Sequence, residues 1–401
     1  MAYVARLRGS KWRTFSDLSV LGVLGGGFLI VPSPIWALFF YVTVIPFTVS
    51  HVWEGWRPDW RDPTTMLPVT LIVWSVATLL WSDPPLPHGI SRWQWVWNGV
   101  CTVTFFLSTL SLAERSLWHR ARIIDVLVLC GLANVLVTLA KFFLSANWDQ
   151  RLAGWANTRN PSLGATIVGG CALLALSRCL HAERRRSLWA AVLIPFGVFM
   201  LLSESRGAMV FFAIASLPLF LLPRRAGRRP RVIIGAGAFA TALLVGAAFA
   251  WWQMPWLMDL MRQMIDRPTY RLLIWRDTLP ELATRLWFGH GPTAVLHDVS
   301  HLNVSFGPHP HDLYLGTILY SGLVGLILLL GCFAWLLSRL SRLPDDPERA
   351  TAVALLLYPM LCGLTDLSQV IKGPSEMWYI LWLPLLLSGA ILRSRTRSAL
   401  H

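Results

Sequence analysis

Residues 305–337 read SFGPHPHDLYLGTILYSGLVGLILLLGCFAWLL. From Leu313 onward the stretch is apolar for longer than the roughly 20 residues that a helix needs to cross a bilayer. Two histidines, a proline and an aspartate stand directly before it. We therefore predict a membrane helix over residues 311–337 whose first turn carries titratable side chains at the membrane boundary.

The rest of the chain has the same character. Of its 401 residues, 55% are hydrophobic and only 14% are charged, which is typical of a polytopic membrane protein. The predicted fold class is an all-α polytopic membrane protein with about 12 transmembrane helices. The candidate spans are residues 15–31, 34–50, 64–81, 95–112, 122–145, 162–180, 187–203, 206–222, 231–252, 311–337, 348–367 and 376–393.

Basic residues gather in alternate loops, which fixes the predicted orientation. If the basic N-terminus is cytoplasmic, an even number of spans also leaves the C-terminus in the cytoplasm. The basic loops on that side contain Arg57 and Arg61, Arg115 and Arg120, Arg184–Arg186, Arg224–Arg231, and Arg339 and Arg342. Because the net charge of +14 is spread over these short loops, nucleic-acid binding is a poor explanation of it.

Neither the cysteines nor the N-terminus indicates processing or cross-linking. All six cysteines lie within or at the ends of apolar runs, a pattern that predicts neither disulfides nor a zinc site. The first apolar stretch lacks a small-residue cleavage site, so we interpret it as a retained helix.

Only one loop on the extracytoplasmic side is long, and it divides the chain. We predict transmembrane helices 1–9 in residues 1–252, a structured loop with short amphipathic helices in residues 253–310, and helices 10–12 with a cytoplasmic tail in residues 311–401. The second half of the loop has an apolar stripe that ends at the turn Gly289–Pro292. The stripe consists of Leu272, Trp275, Leu279, Leu282 and Leu286.

Basic residues on this extracytoplasmic face are the informative minority. Arg159 lies in the segment WANTRNPSLGAT, and Arg206 lies in SESRGAMV between two spans. An arginine at such a boundary either extends to water or faces a polar cavity. Two serines, Glu204 and Gly207 flank Arg206, and this polar, close-packed elbow favours the cavity.

Two further arginines, Arg271 and Arg276, stand in the loop. Five residues correspond to about 140° around an α-helix, so one unbroken helix cannot direct both at the same point. Each arginine could also have a purely structural role instead of binding a substrate. Arg271 could stack on Trp275, and Arg276 could form an ion pair with Asp277 or Glu281.

The histidines differ in what their positions imply. Pro310 favours an extended conformation at His309, so the two imidazole rings need not converge, and a solvated loop position is the structural alternative for His309. His311 and Asp312 directly precede the helix, with Asp312 as an N-cap candidate. His311 therefore lies beside a first helical turn whose free N–H groups favour anions.

An imidazole near several guanidinium groups fits one kind of chemistry. Guanidinium groups can hold a phosphoanhydride leaving group while the imidazole accepts a proton from a hydroxyl. The extracytoplasmic acidic residues form no D-x-D pair, so we predict a site without metal or other cofactor. Nucleotide-binding and hydrolase motifs are missing from the sequence.

Four motifs in order resemble the O-antigen ligase and polymerase superfamily. They are the S-x-S-R-G-A elbow at Ser203–Ala208, the Y-R-x-x-x-W segment at Tyr270–Trp275, the W-F-G-H-G turn at Trp287–Gly291, and the H-D-x-Y-L then G-L-x-G-L run at His311–Leu326. The resemblance covers roughly residues 150–335. It implies a glycosyltransferase of the membrane-embedded GT-C type, metal-independent and inverting, acting at the periplasmic face of a bacterial inner membrane.

For the ligase members, the resemblance implies transfer from an undecaprenyl-pyrophosphate-linked O-antigen donor to a hydroxyl of lipid A–core oligosaccharide, in lipopolysaccharide biosynthesis. Arg206 and Arg271 match the arginines that would hold the pyrophosphate, with Arg276 as the neighbour of Arg271. His311 matches the family's histidine that would act as the general base on the acceptor hydroxyl. The family's usual pair is His-Asn, and here it is His-Asp; Asp312 either caps the helix or orients the imidazole. The substrate-binding candidates are Arg276, Arg159, His309, Asp312 and Tyr270.

Two alternatives remain open from the sequence. The compact chain favours a ligase, but a polymerase or a protein O-oligosaccharyltransferase of the same superfamily shares the arginine pattern. A transporter or flippase for an anionic lipid would need polar groups deep in the bilayer, and only Lys141 and Asp366 are candidates, both near predicted span ends.

Overall fold

The computed structural model describes residues 2–31, 33–53, 56–83, 89–145, 150–181, 186–222, 270–294, 309–367 and 369–398, without side chains for 2–13, 270–273 and 397–398. All regular structure in these ranges is helical. The helices are α1 (Ala2–Leu29), α2 (Ser33–Trp53), α3 (Pro63–Ala77), α4 (Arg92–Arg115), α5 (Leu117–Ser145), α6 (Pro161–His181), α7 (Arg186–Leu202), α8 (Arg206–Leu221), α9 (Tyr270–Thr284), α10 (Leu313–Ser341), α11 (Pro347–Cys362) and α12 (Leu383–Ser398).

Six of these segments are long and apolar enough to cross a membrane, so the chain is a polytopic membrane protein. They are Ser33–Trp53, Pro63–Leu80, Arg92–Arg115, Leu117–Ser145, Pro161–His181 and Leu313–Ser341. Three shorter apolar helices, Thr14–Leu29, Arg186–Leu202 and Arg206–Leu221, also coincide with predicted spans. The predicted span at 231–252 and the first amphipathic helix of the loop lie outside the described residues.

An aromatic cluster forms the centre of the bundle. The ring of Trp378 lies 4.3 Å from Phe105, 4.8 Å from Phe40 and 5.6 Å from Trp36, measured between centroids. The indole N–H of Trp36 donates to the Val23 carbonyl at 2.8 Å, which satisfies a polar group that would be costly to bury alone. The cluster thereby joins α1, α2, α4 and the π-turn Trp378–Trp382 that precedes α12.

One end of the bundle is closed by charged groups around Arg393, near the end of α12. This buried guanidinium bonds to Asp62 at 2.6 Å and to Glu114 at 2.5 Å. Asp62 is also the N-cap of α3, because its carboxylate accepts from the Thr64 N–H at 2.8 Å. At the opposite end of the bundle, α6, α8 and α10 begin and α11 ends.

Helix α10 is broken at Gly322, whose φ of 67° and ψ of −173° are accessible essentially only to glycine. The turn after α9 fills the break. Four backbone hydrogen bonds join the two segments: His290 N to Leu319 O (2.7 Å), Gly291 N to Tyr320 O (3.0 Å), Leu323 N to Leu286 O (2.8 Å) and Val324 N to Trp287 O (3.3 Å). The groups that the helix leaves unpaired are therefore satisfied by the turn.

Helix α9 packs on α10 with a face that shares Leu282 with the apolar stripe. Its buried residues are Ile274, Thr278 and Leu282, and the two apolar ones contact Leu319 and Tyr320 of α10. Leu279 is 57% exposed and Leu286 39% exposed, so these two residues of the stripe lie outside the buried face. In a membrane protein an apolar residue need not face the protein core, because lipid also accepts it.

Candidate functional site

The two histidines lie together at the start of α10. The ring centroids of His309 and His311 are 4.0 Å apart, with the planes inclined by 55°. The carbonyl oxygen of the intervening Pro310 accepts a hydrogen bond from the Trp275 indole N–H at 2.9 Å. This bond fixes the histidine segment to α9. The two rings, whose convergence the sequence left open, are in contact in this segment.

Asp312 is the N-cap of α10. Its carboxylate accepts from the Leu315 N–H at 2.7 Å, which confirms the predicted capping. Burial raises the pKa of Asp312, although hydrogen bonds from the backbone of Leu315 and Tyr314 oppose the shift. The cap holds the first turn of α10 directly beside the imidazole of His311.

His309 is held as an uncharged imidazole. Burial lowers its pKa to about 4, and the nearby His311 and Lys372 add to the shift. The ammonium group of Lys372 forms an ion pair with Glu376 at 2.5 Å. A basic residue between the last two spans thus belongs to the histidine region, although the sequence analysis considered only arginines there.

The elbow before α8 presents Arg206 at an anion-binding position. Arg206 is the first residue of α8, and its side chain is exposed. The preceding Ser203 and Ser205 are buried, so the turn itself is packed into the protein. The free N–H groups and the helix dipole at such a terminus favour a negative charge, as does the guanidinium.

The segment after α11 connects the elbow to the histidines. The Leu313 N–H, at the start of α10, donates to the Gly363 carbonyl at 2.7 Å. Three residues further on, the Asp366 carboxylate lies beside the elbow, since a Cβ added to Gly207 would be 3.6 Å from its Oδ2. The start of α10 and the start of α8 are therefore packed on the same short segment.

A second loop joins the elbow from the α6 side. The Leu152 N–H donates to the Leu202 carbonyl at 2.9 Å, and the Arg151 Nε donates to the Ser203 carbonyl at 2.9 Å. Arg159 follows in this loop and is exposed. Arg151 was missed by the sequence analysis, although its position on the same extracytoplasmic loop as Arg159 could have identified it.

Of the two loop arginines, only Arg276 has a described side chain. The Arg276 side chain is 69% exposed and forms an ion pair with Asp277 at 3.2 Å, one of the two pairings left open by the sequence. Arg271 and Tyr270 lie in the first turn of α9, and their side chains are outside the described part of the structure.

Backbone strain falls at the same places. Among the described non-glycine residues, positive φ angles occur at Ala156 (53°), Glu204 (52°) and His311 (51°). One of these is the predicted base itself, another lies two residues before Arg206, and the third lies three residues before Arg159. Such conformations cost about 1–3 kcal/mol each and concentrate at functional sites.

Comparison with known proteins matches the part of the chain that contains these elements. The O-antigen ligase family matches residues 190–330, which contain the elbow, α9, the docked turn, the histidines and the break in α10. An O-antigen ligase of Pseudomonas aeruginosa is 25% identical over 401 residues, covering 97% of this chain and 94% of its own length. The chain is thus similar to O-antigen ligases, by the family model over residues 190–330 and by the relative over nearly its whole length.

This similarity indicates a glycosyltransferase-type ligase. O-antigen ligases in general use a lipid-linked O-antigen donor and a lipid A–core acceptor. Among the described residues, no group of three or more histidine, cysteine or acidic side chains is arranged to hold a metal ion.

The bond from Trp275 to Pro310 gives a first test of the site. In Trp275→Phe the ring is largely retained but the indole N–H is lost, so the Pro310 carbonyl loses its partner. We expect a loss of about 0.5–1.5 kcal/mol in the free energy of unfolding and a reduced turnover number. Thermal unfolding and transfer rates in detergent measure the two effects. Trp74→Phe is the matched control, since it removes an indole bond to Ser321 in the broken helix instead.

Proposed function

We propose that this protein is an O-antigen ligase that transfers O-antigen glycan from undecaprenyl pyrophosphate to a hydroxyl of lipid A–core oligosaccharide. The reaction is metal-independent and inverts the anomeric carbon. The observation that carries the proposal is the single short segment, residues 363–366, against which both the His311 region and the Arg206 elbow are packed.

Arg206 holds the pyrophosphate of the donor in this proposal. This role is supported by the position of the exposed guanidinium at the start of α8, where its charge adds to the positive end of the helix dipole. Arg271 assists from α9, with Arg276, Arg159 and Tyr270 as further substrate contacts. As the anomeric bond breaks, negative charge grows on the leaving pyrophosphate, and these groups stabilise it.

His311 is the general base. A ring nitrogen of His311 takes the proton of the acceptor hydroxyl, whose oxygen then forms the new bond to the anomeric carbon. The bond from that carbon to the pyrophosphate oxygen breaks, and its electron pair leaves with undecaprenyl pyrophosphate. His309, uncharged because of burial, packs against the His311 ring without repelling the proton that it accepts. Asp312 keeps the start of α10 in place beside the acceptor.

The site faces the periplasm in the proposed orientation. The chain spans the bacterial inner membrane about twelve times in a GT-C arrangement, with both termini cytoplasmic. Residues 1–252 supply helices 1–9, residues 253–310 form the periplasmic loop, and residues 311–401 supply the last three helices and the tail. Support comes from the basic loops, which the charge distribution assigns to the cytoplasm.

Reconstitution with defined substrates tests the proposal. The purified full-length protein in detergent receives a lipid-linked glycan and lipid A–core, with and without EDTA, and products are separated by gel electrophoresis. We expect glycan on lipid A–core at the same rate in both samples. An EDTA-sensitive rate that a divalent cation restores would contradict the metal-independent mechanism.

The acceptor arms of the same assay separate the alternatives. Lengthening of the lipid-linked glycan without transfer to lipid A–core would identify a polymerase. Transfer to an added acceptor protein would identify a protein O-oligosaccharyltransferase. Movement of the lipid-linked glycan across proteoliposomes, with no new glycosidic bond, would identify a flippase.

A further inference from the structure

A cavity lies at the opposite end of the bundle from the histidines. It has a volume of about 180 Å³ and opens between the start of α5, the end of α6, the start of α11 and the middle of α12. Helix α6 has 21 residues and begins beside the elbow, so its last turn is roughly 30 Å from the candidate site. The apolar wall consists of Leu117, Leu174, Leu355, Leu387 and Ile391.

Basic side chains also line this cavity, and the hydrogen-bonding capacity of the arginines is only partly used. Arg178 reaches the Ala121 carbonyl at 3.3 Å and Asp125 at 3.4 Å, both longer than a good hydrogen bond. Its Nε is buried and has no hydrogen-bond partner in the part of the chain that the structure describes. A buried donor of this kind is destabilising unless an acceptor binds it.

Arg120 repeats the pattern on the facing helix. It is only 5% exposed, yet its contacts are the Ala113 carbonyl at 3.3 Å and Glu348 at 3.6 Å. Glu348 is the one acidic residue among those lining the cavity, and it is shared with Arg395 at 3.1 Å. With His181 also in the lining, the cavity has an excess of donors and positive charge.

We propose that this cavity binds the headgroup phosphate of an anionic glycerophospholipid. The phosphate oxygens accept from Arg178 and Arg120, and the acyl chains lie along the apolar wall. Basic pockets between membrane helices are suited to such headgroups. The apolar wall favours a lipid over free phosphate, which would leave that surface in water. In the proposed orientation the bound lipid belongs to the cytoplasmic leaflet.

Lipid selectivity tests the proposal. The full-length protein is equilibrated with mixed micelles of phosphatidylglycerol and phosphatidylcholine, and native mass spectrometry measures the ratio retained. We expect retention to favour phosphatidylglycerol, and Arg178→Gln to reduce that preference about fivefold, from about 1 kcal/mol per basic residue. Arg122→Gln is the matched control, because Arg122 lies at the same end of α5 but stacks on Trp118 at 3.6 Å instead of lining the cavity.

The outcomes are distinct. Loss of the preference in Arg178→Gln with retention in Arg122→Gln, at unchanged thermal unfolding temperatures, supports the site. Equal losses in both variants would mean diffuse surface charge and would overturn it, as would no preference in the wild type. Displacement of the lipid by millimolar inorganic phosphate would show that the cavity recognises phosphate alone, and would overturn the lipid assignment. If Arg178→Gln unfolds, Arg178→Met, which also removes the charge and keeps an apolar stem, serves in its place with the same criteria.

Discussion

Replacing His311 with alanine is expected to lower the rate of glycan transfer by about 10²- to 10⁴-fold, the usual contribution of a general base. The side chain lies beside a capped helix start, and its own backbone is strained, with φ at 51°. Alanine also relieves little of that strain, so the fold should survive the substitution. Initial rates with saturating donor and acceptor, together with thermal unfolding, measure the effect.

Asp312→Asn is the matched control for His311→Ala. Asparagine caps helices about as well as aspartate, so the start of α10 should keep its position while the carboxylate charge is lost. We expect transfer within about threefold of wild type. A large loss in Asp312→Asn would mean that the carboxylate acts on the imidazole as well as on the helix. Near-normal transfer by His311→Ala would rule out His311 as the base.

Gly322→Ala should have the largest effect on stability. An added Cβ would lie 2.1 Å from the Trp287 carbonyl oxygen, and alanine cannot readily adopt a φ of 67° with a ψ of −173°. Strain and overpacking together should cost about 3–5 kcal/mol of unfolding free energy. Thermal unfolding in detergent and protease cleavage within the turn after α9 measure the loss.

Gly331→Ala provides the control for Gly322→Ala within the same helix. A Cβ at Gly331 would meet no atom within 4 Å, so alanine should leave stability unchanged or raise it by about 0.5–1 kcal/mol. Equal behaviour of the two variants would show that the break in α10 is not rigidly formed. Loss of transfer in Gly322→Ala at temperatures where it remains folded would indicate that the docked turn also positions the site.

The helices and the start of α10 could be predicted because hydropathy and capping are local properties. The run from Leu313 is apolar, and an aspartate precedes it, so both the helix and its cap at Asp312 followed from neighbouring residues. The elbow arginine at position 206 was likewise placed between two spans, where the structure has the first residue of α8.

What could not be predicted depends on contacts between distant segments. The bond from Trp275 to Pro310, which holds the segment with the two converging histidines on α9, joins residues 35 positions apart. The buried face of α9 could not be identified from the apolar stripe, because lipid, like the protein core, accepts an apolar side chain such as Leu279. The pairing of Leu313 with Gly363, which connects the histidines to the elbow, has no local pattern at all.

The break in α10 also bears on how the chain enters the membrane. The carbonyls of Leu319 and Tyr320 would each cost several kcal/mol if they met hydrocarbon unpaired. Their partners, His290 and Gly291, precede α10 in the chain and are therefore synthesised first. When α10 leaves the ribosome, the segment that completes its backbone hydrogen bonds already exists, so helix insertion and docking of the turn can take place as one step of biogenesis.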